Sequence, residues 1–467
     1  MSLDTVANIT ITANTQTPSQ RGFGTPLIMA YHTVRPSQRV LTYTSLASMV
    51  TDGFSVYSGA YLAAVKIKAQ NPSPPAWKIG RRATPYVQQV TFDVVSTEEG
   101  SARGFTVRHP TTGVETAISY TVPAGATGGS IAHAIADLLC SDGPTGPTGP
   151  VGPTGIGGAT GPYGVVANSV GAKVTITTTG GGTGPAAGLL ADISHWDEGL
   201  SLTNITLDSG IAADIAACAA EDPDFYGICL DSNGAAEVRA AAATCETMLC
   251  LLAVDTSDSG CFGTGTSDVG SLLKASAYAR TVPFFNGRRL LHYSGAAALG
   301  VCLPQVPGSW SLCHKQLRGV EQDSFTARSS LAQARLKLRS LNTYYAIGGI
   351  GDVLFGTSAS GEFADNTVFL DWVRVRMQER MVFALQAVRK NPYTDVGIAS
   401  ITNEVYAVLN AGVAAGGFTP GTPSVTAPKA AAVSPVDKAN RLLPDVAFTA
   451  QLAGAIHTIN VTGTVKV

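Results

Sequence analysis

The sequence predicts an α/β plus β-rich protein of several domains. It combines a Rossmann-like α/β core, an inserted β-rich domain, an α+β C-terminal domain and extended strand-forming arms at both ends. Three observations carry this. Over 205–345, unbroken apolar runs alternate with helical spacing, the pattern of a parallel sheet covered on both faces. Over 86–204, β-branched runs are broken by Gly and Pro. Period-two alternation stands at both extreme ends, in Ala7-Asn8-Ile9-Thr10-Ile11-Thr12 and from Ile459 through Val461, Val465 and Val467. The length of 467 residues fits roughly three domains at about 150 residues each.

In chain order, residues 1–20 read as an arm, a strand followed by a Thr/Gln/Ser/Pro segment. The α/β domain occupies 21–85 and resumes at 205–345. Pro26–Tyr31 is a continuous apolar strand, Leu46–Val50 and Tyr61–Lys68 are helices, and Asn71-Pro72-Ser73-Pro74-Pro75 stops the second before a strand at Trp77–Gly80. The insert, 86–204, holds strands at Val90–Val95, Gly104–Arg108, Thr116–Val122 and Val174–Thr178, with a helix at Ile131–Leu139. Glycine recurs every third residue across 143–164, followed repeatedly by proline. That collagen-like register reads as a solvated polyproline-II loop, with a local three-chain helix as the alternative. Helices at Ile211–Ala220, Ala235–Met248 and Gly270–Arg280 then alternate with strands at Phe225–Leu230, Leu249–Asp255 and Arg289–Tyr293.

The C-terminal domain, 346–445, carries two helices. In the first, Phe369, Trp372, Val373, Met377, Met381, Leu385 and Val388 step by three or four along one face, and Asn391-Pro392-Tyr393 ends it. The second, Ile401–Val413, buries Ile401, Val405, Val408 and Leu409. A strand-forming arm, 446–467, closes the chain.

Composition narrows the function. With 31 basic and 33 acidic residues the net charge is -2, against the basic excess of a nucleic-acid-binding protein. Charged residues make up 14%, where about 25% is ordinary, and surfaces poor in Lys and Glu suit extensive protein–protein contact. No signal peptide or membrane-spanning run is expected. The eight cysteines form no C-x-x-C pair, and Cys229 and Cys250 sit in apolar runs, so they read as small buried hydrophobes and no metal is assigned. Enzyme signatures are missing. Asp231-Ser232-Asn233-Gly234 follows the strand where a dinucleotide fingerprint would stand, and Gly348-Gly349-Ile350-Gly351 reads as a turn. Gly356-Thr357-Ser358-Ala359-Ser360-Gly361 has the wrong spacing for a nucleophile elbow. The seven histidines are scattered, Asp192, His195 and Asp197 read as a solvated loop, and Asp365 and Asp371 read as favourable charge at a helix N-terminus. No catalytic residue and no cofactor are expected.

Three stretches resemble the contractile tail sheath proteins of tailed bacteriophages of the myophage type. The first runs from Tyr43-Thr44-Ser45-Leu46 to Pro74-Pro75-Ala76-Trp77-Lys78-Ile79-Gly80-Arg81. The second runs from Trp310 through Leu317-Arg318-Gly319-Val320 and Leu341-Asn342-Thr343-Tyr344-Tyr345 to Leu370-Asp371-Trp372 and Asn391-Pro392-Tyr393. The third is Phe448-Thr449-Ala450-Gln451-Leu452-Ala453-Gly454-Ala455-Ile456-His457 and the strand after it. The insert lies outside the resemblance.

The resemblance implies a homo-oligomer of hexameric rings stacked helically around a tail tube protein, with baseplate and tail terminator proteins at its ends. It also implies a place in the virion after assembly in the host cytoplasm, with neither nucleic acid nor membrane insertion. Ala7, Ile9, Ile11, Ile459, Val461 and Val465 would be assembly-arm residues, and Arg374, Arg376 and Arg380 candidates to face the tube. An unpartnered terminal strand satisfies its backbone groups on a neighbour's sheet edge; the alternative is pairing of the two terminal strands within one chain. Rival readings are a tube, capsid or surface-layer subunit, or an enzyme on the α/β scaffold.

Overall fold

The computed structural model describes residues 22–83, 88–108, 115–140, 165–178, 192–193, 200–206, 210–232, 234–286, 293–322 and 330–463. Ala7, Ile9, Ile11, Val465, the 143–164 tract and the His195 loop fall outside these residues. The chain begins with β1 (Pro26–Ala30), β2 (Val40–Tyr43), α1 (Leu46–Asp52), α2 (Gly59–Lys68) and β3 (Trp77–Arg81). Ser45 and Ser58 cap the two helices, each hydroxyl accepting a backbone N–H three residues on.

Next come β4 (Gln88–Val94), β5 (Ala102–Arg108), β6 (Glu115–Thr121), α3 (Gly128–Cys140), β7 (Val165–Val170), β8 (Lys173–Thr178), β9 (Asp192–Ile193) and β10 (Leu200–Thr206). Among the described residues these strands pair only among themselves, in an antiparallel sheet β10-β4-β8-β7 and a three-stranded sheet β6-β5-β9. Ile131, Ile135 and Leu139 of α3 are buried with Phe92, Val174 and Ile176, so the helix covers the apolar face that the four-stranded sheet presents.

The remainder is α4 (Ile211–Glu221), β11 (Gly227–Leu230), α5 (Ala235–Met248), β12 (Leu251–Thr256), α6 (Val269–Ala275), β13 (Thr281–Phe285), α7 (Ser294–Cys302), α8 (Ser330–Leu338), β14 (Asn342–Ile347) and β15 (Ile350–Leu354). Last are α9 (Ala364–Gln386), α10 (Asp395–Ala414), β16 (Ser424–Thr426), α11 (Pro435–Ala439) and β17 (Ala447–Thr449). The principal sheet has eight strands in the order β15-β14-β13-β12-β11-β1-β3-β2. Its six inner strands are parallel, and β2 and β15 run antiparallel at the two edges. The unbroken apolar β1 follows from its central place: Leu27 and Met29 enter the core beneath α4 and α5, while Ile28 and Ala30 enter the core beneath α2 and α7.

Several boundaries differ from the sequence reading. The strand expected at Arg289–Tyr293 is instead β13, at Thr281–Phe285; Tyr293 is the residue that leads into α7, and 287–292 lie outside the described residues. Pro283, a residue type that rarely stands inside a sheet, sits in the middle of β13 opposite Val254. The helix expected to reach Arg280 stops at Ala275. Helix α9 ends at Gln386, short of Asn391-Pro392, because its last turns have little core to pack on. Helix α10 starts at Asp395, well before Ile401, because the Thr394 hydroxyl caps it by accepting from the Gly397 N–H at 3.1 Å.

Candidate functional site

The described arm and tube-facing candidates, Arg374, Arg376, Arg380, Ile459 and Val461, lie in the last hundred positions. Helices α9 and α10 pack side by side over a small core of Phe369, Val373, Val405, Val408, Leu409 and Phe418. The stripe read from the sequence splits along its length. Phe369 and Val373 are buried, but Leu385 is 61% exposed and Val388 also stands in solvent. At the base, Asp371 is no helix-terminus charge. It lies inside α9, buried, and binds Arg280 through two bonds of 2.5 and 2.9 Å, while the Tyr226 hydroxyl donates to it at 3.0 Å. Burial first, and then the Asp371 charge, pushes the Tyr226 phenol well above its ordinary value. Arg280 also binds Glu246 at 3.1 Å, so one guanidinium ties α9 to α5 and the sheet.

The three arginines part company. Arg374 is exposed. Arg376 pairs with Glu379 at 2.5 Å and lies 5.9 Å over the Phe23 ring, which places it against the body. Arg380 reaches across to Glu404 of α10 at 3.1 Å, half exposed.

Beyond α10 the chain forms a ribbon of β16 and β17, with Val425 opposite Phe448. The Tyr406 hydroxyl accepts the Val425 N–H at 3.1 Å, tying down the outer edge of β16. Among the described residues, β17 pairs with β16 alone. After an isolated bridge between Phe418 and Leu452, the chain runs without regular secondary structure along a cleft of about 200 Å³ lined by Gly308, Trp310, Lys315, Asp365 and Gly417. There is no room for a side chain at Gly417: a Cβ would lie 2.3 Å from the Phe369 ring. The segment is last held at His457, where Ser311 Oγ lies 2.8 Å from the ring and His314 bonds the carbonyl. Past that point, among the described residues, Ile459 is 78% and Val461 89% exposed. Sequence reading missed this seat because 143 residues separate His314 from His457.

The α/β sheet offers a second place to look, between the parallel neighbours β1 and β11, from which the strand order runs to β3 on one side and to β12 on the other; such folds bind ligands there. Here the protein's own groups fill it. Asp255 accepts the Ser294 and Gly295 N–H groups at 2.9 and 3.0 Å, so a carboxylate already occupies the start of α7. Asp231 accepts from the Tyr31 N–H, and its backbone carbonyl from the Tyr293 hydroxyl. Arg82 and Glu237 close on each other at 2.8 Å nearby, both buried. Cys218, Cys229, Cys245, Cys250, Cys261, Cys302 and Cys313 are buried and unbridged. Among the described residues no helix is long and apolar enough to cross a membrane.

No family model matches the sequence, and no curated protein matches it. Among solved structures, the chain is similar to a sheath tail protein from Listeria innocua, at 10% identity over 88% of this chain and 89% of that one, with a TM-score of 0.43. It is similar to a chain of the anti-feeding prophage baseplate, at 15% identity over 56% of this chain and 73% of that one, with a TM-score of 0.41. It is also similar to the anti-feeding prophage helical sheath in its contracted state, at 13% identity over 56% and 75% of the two chains, with a TM-score of 0.40.

Proposed function

We propose that the chain is a structural subunit of a contractile tail sheath, assembling as hexameric rings around a tail tube and contracting by rearrangement of its subunits. One observation carries the reading. A strand-forming segment leaves the body at His457 with Ile459 and Val461 in solvent, and the same unit presents a two-stranded ribbon whose β17 edge has no partner among the described residues. A two-stranded ribbon is marginal by itself, and a third strand from a neighbour stabilises it through backbone hydrogen bonds. The motif order read from the sequence points the same way. In this reading Ala7, Ile9, Ile11, Ile459, Val461 and Val465 are the arm residues, 21–85 with 205–345 forms a Rossmann-like body, and 86–204 is an insert on it.

The arms hold neighbours together while the bodies rotate, and better-buried interfaces in the contracted array supply the free energy. No nucleotide is needed, which accords with a sheet crevice filled by Asp231, Asp255 and Tyr293. Arg374 is the arginine best placed to face the tube, being exposed on α9. The remaining partners would be baseplate and tail terminator proteins, and the location the virion.

Negative-stain electron microscopy tests this with the full chain, a chain lacking residues 1–20 and a chain ending at His457. Tubes or stacked rings from the full chain, lost in both truncations, are expected. A compact monomer at high concentration in all three would overturn the reading.

A further inference from the structure

His314 sits where the C-terminal segment leaves the body. Its Nδ1 lies 2.7 Å from Asp352 Oδ2 on β15, and its Nε2 lies 3.0 Å from the carbonyl oxygen of His457. A carboxylate and a carbonyl both accept, so meeting both takes two N–H donors on one ring, and only the imidazolium has two. The backbone holds the ring there. His314 is in the left-handed region, φ +63°, and its N–H donates to the Val353 carbonyl at 3.0 Å. The other oxygen of Asp352, Oδ1, is buried with no hydrogen-bond partner among the described residues, so the carboxylate depends on His314.

We infer that His314, Asp352 and His457 form a proton-dependent clasp: with His314 charged, the C-terminal segment is fixed at His457 and the arm departs from a set point; with His314 neutral, one of the two bonds is lost and the segment loosens. The groups facing the clasp are Asp352 on β15, the His457 ring against Phe363 at 4.8 Å, Asp365 at the start of α9, which feels the His457 charge, and Lys315 beside it. The hydrogen bond to Asp352 raises His314 above its ordinary value, so the clasped state is complete below about 6.5 and is lost as pH rises through the raised value. The consequence for neighbouring subunits rests on the sheath reading, but the clasp lies within one chain.

The test is a spin label on Ile459→Cys in the full chain, read as mobility on the single-chain fraction from size exclusion. Seven of the eight native cysteines are buried, and unmodified chain treated alike gives the background. We expect the label to be restricted at pH 6 and its mobile population to rise roughly threefold by pH 9, as loss of one half-exposed ion pair permits. Asp352→Asn should move the midpoint down toward the ordinary histidine value, and His314→Gln should leave the label mobile at both pH values. Equal mobility of the unsubstituted arm at pH 6 and 9, or an unmoved midpoint in Asp352→Asn, would overturn the clasp. Ring formation is read separately by microscopy, so either idea can fail alone.

Discussion

Arg82 and Glu237 meet at 2.8 Å beneath the eight-stranded sheet, both out of solvent, whereas Leu385, Val388, Ile459 and Val461 at the far end of the chain stand in water. The first region meets its needs from within. Its charges are paired, its strands are covered on both faces, and the crevice between β1 and β11 is filled. The second leaves apolar side chains and a strand edge unmet, an arrangement that costs free energy in a lone chain. The difference teaches where to look for function: in the region whose requirements this chain does not satisfy.

The comparison breaks most easily at the buried pair. Glu237→Ala removes the carboxylate that closes on the buried Arg82 guanidinium and should cost about 3–5 kcal/mol in chemical denaturation. A change near zero would mean that the core's charges are not mutually dependent after all.

A middle-sized effect is expected from pH. Burial pushes Asp231 up to about 7, with Arg82 opposing the shift. Between the ordinary carboxylate value near 4 and about 7 the folded chain therefore holds a proton that the unfolded chain has released, and stability falls as pH rises through that window. Asp255, pushed up to about 6 by burial, acts the same way, while His32, held down near 4 by burial, acts oppositely. The stability advantage of the unsubstituted chain over Asp231→Asn isolates the first group and should shrink from pH 5 to pH 8 in paired urea titrations. A constant difference would place Asp231 in a wetter setting than its burial indicates.

The smallest effect should come from the exposed end. Leu385→Ser removes an apolar group already in water, so monomer stability should stay within about 0.5 kcal/mol by thermal melting. A larger loss would show that the tip of α9 is packed, which would sharpen the boundary between the two regions.

Legibility followed the same divide. Helix α5 has the bounds its periodicity predicted, Ala235–Met248, and Gly348-Gly349 makes the turn its composition predicted, with φ of +58° and +85° between β14 and β15. Strand β13 was misplaced because Pro283 is a poor strand signal, and tertiary pairing with β12 overrides it. Asp371 was read as a favourable charge beside a helix start. What fixes it is Arg280, 91 residues away in sequence, and no local pattern shows that. The stripe on α9 was visible, but a stripe does not reveal which half is covered. The C-terminal arm was read as strand-forming sequence, yet among its described residues only Ala447–Thr449 is a strand, and its seat at Ser311 and His314 was not legible at all.

The placement of β1 has a consequence for biosynthesis. This strand is among the earliest parts of the body to be made, yet it lies inside the sheet, with Ile28 set against Cys229, 201 positions later. Translation at the usual rates of roughly 5–20 residues per second leaves it waiting on the order of 10–40 s for that neighbour. During the wait only β3, the nearer flank, can shelter it, and five consecutive apolar residues keep one open edge on the ribosome. Nascent chains should therefore engage a holding chaperone until about residue 230 has emerged, and a cell deficient in one should yield aggregate before it yields folded chain.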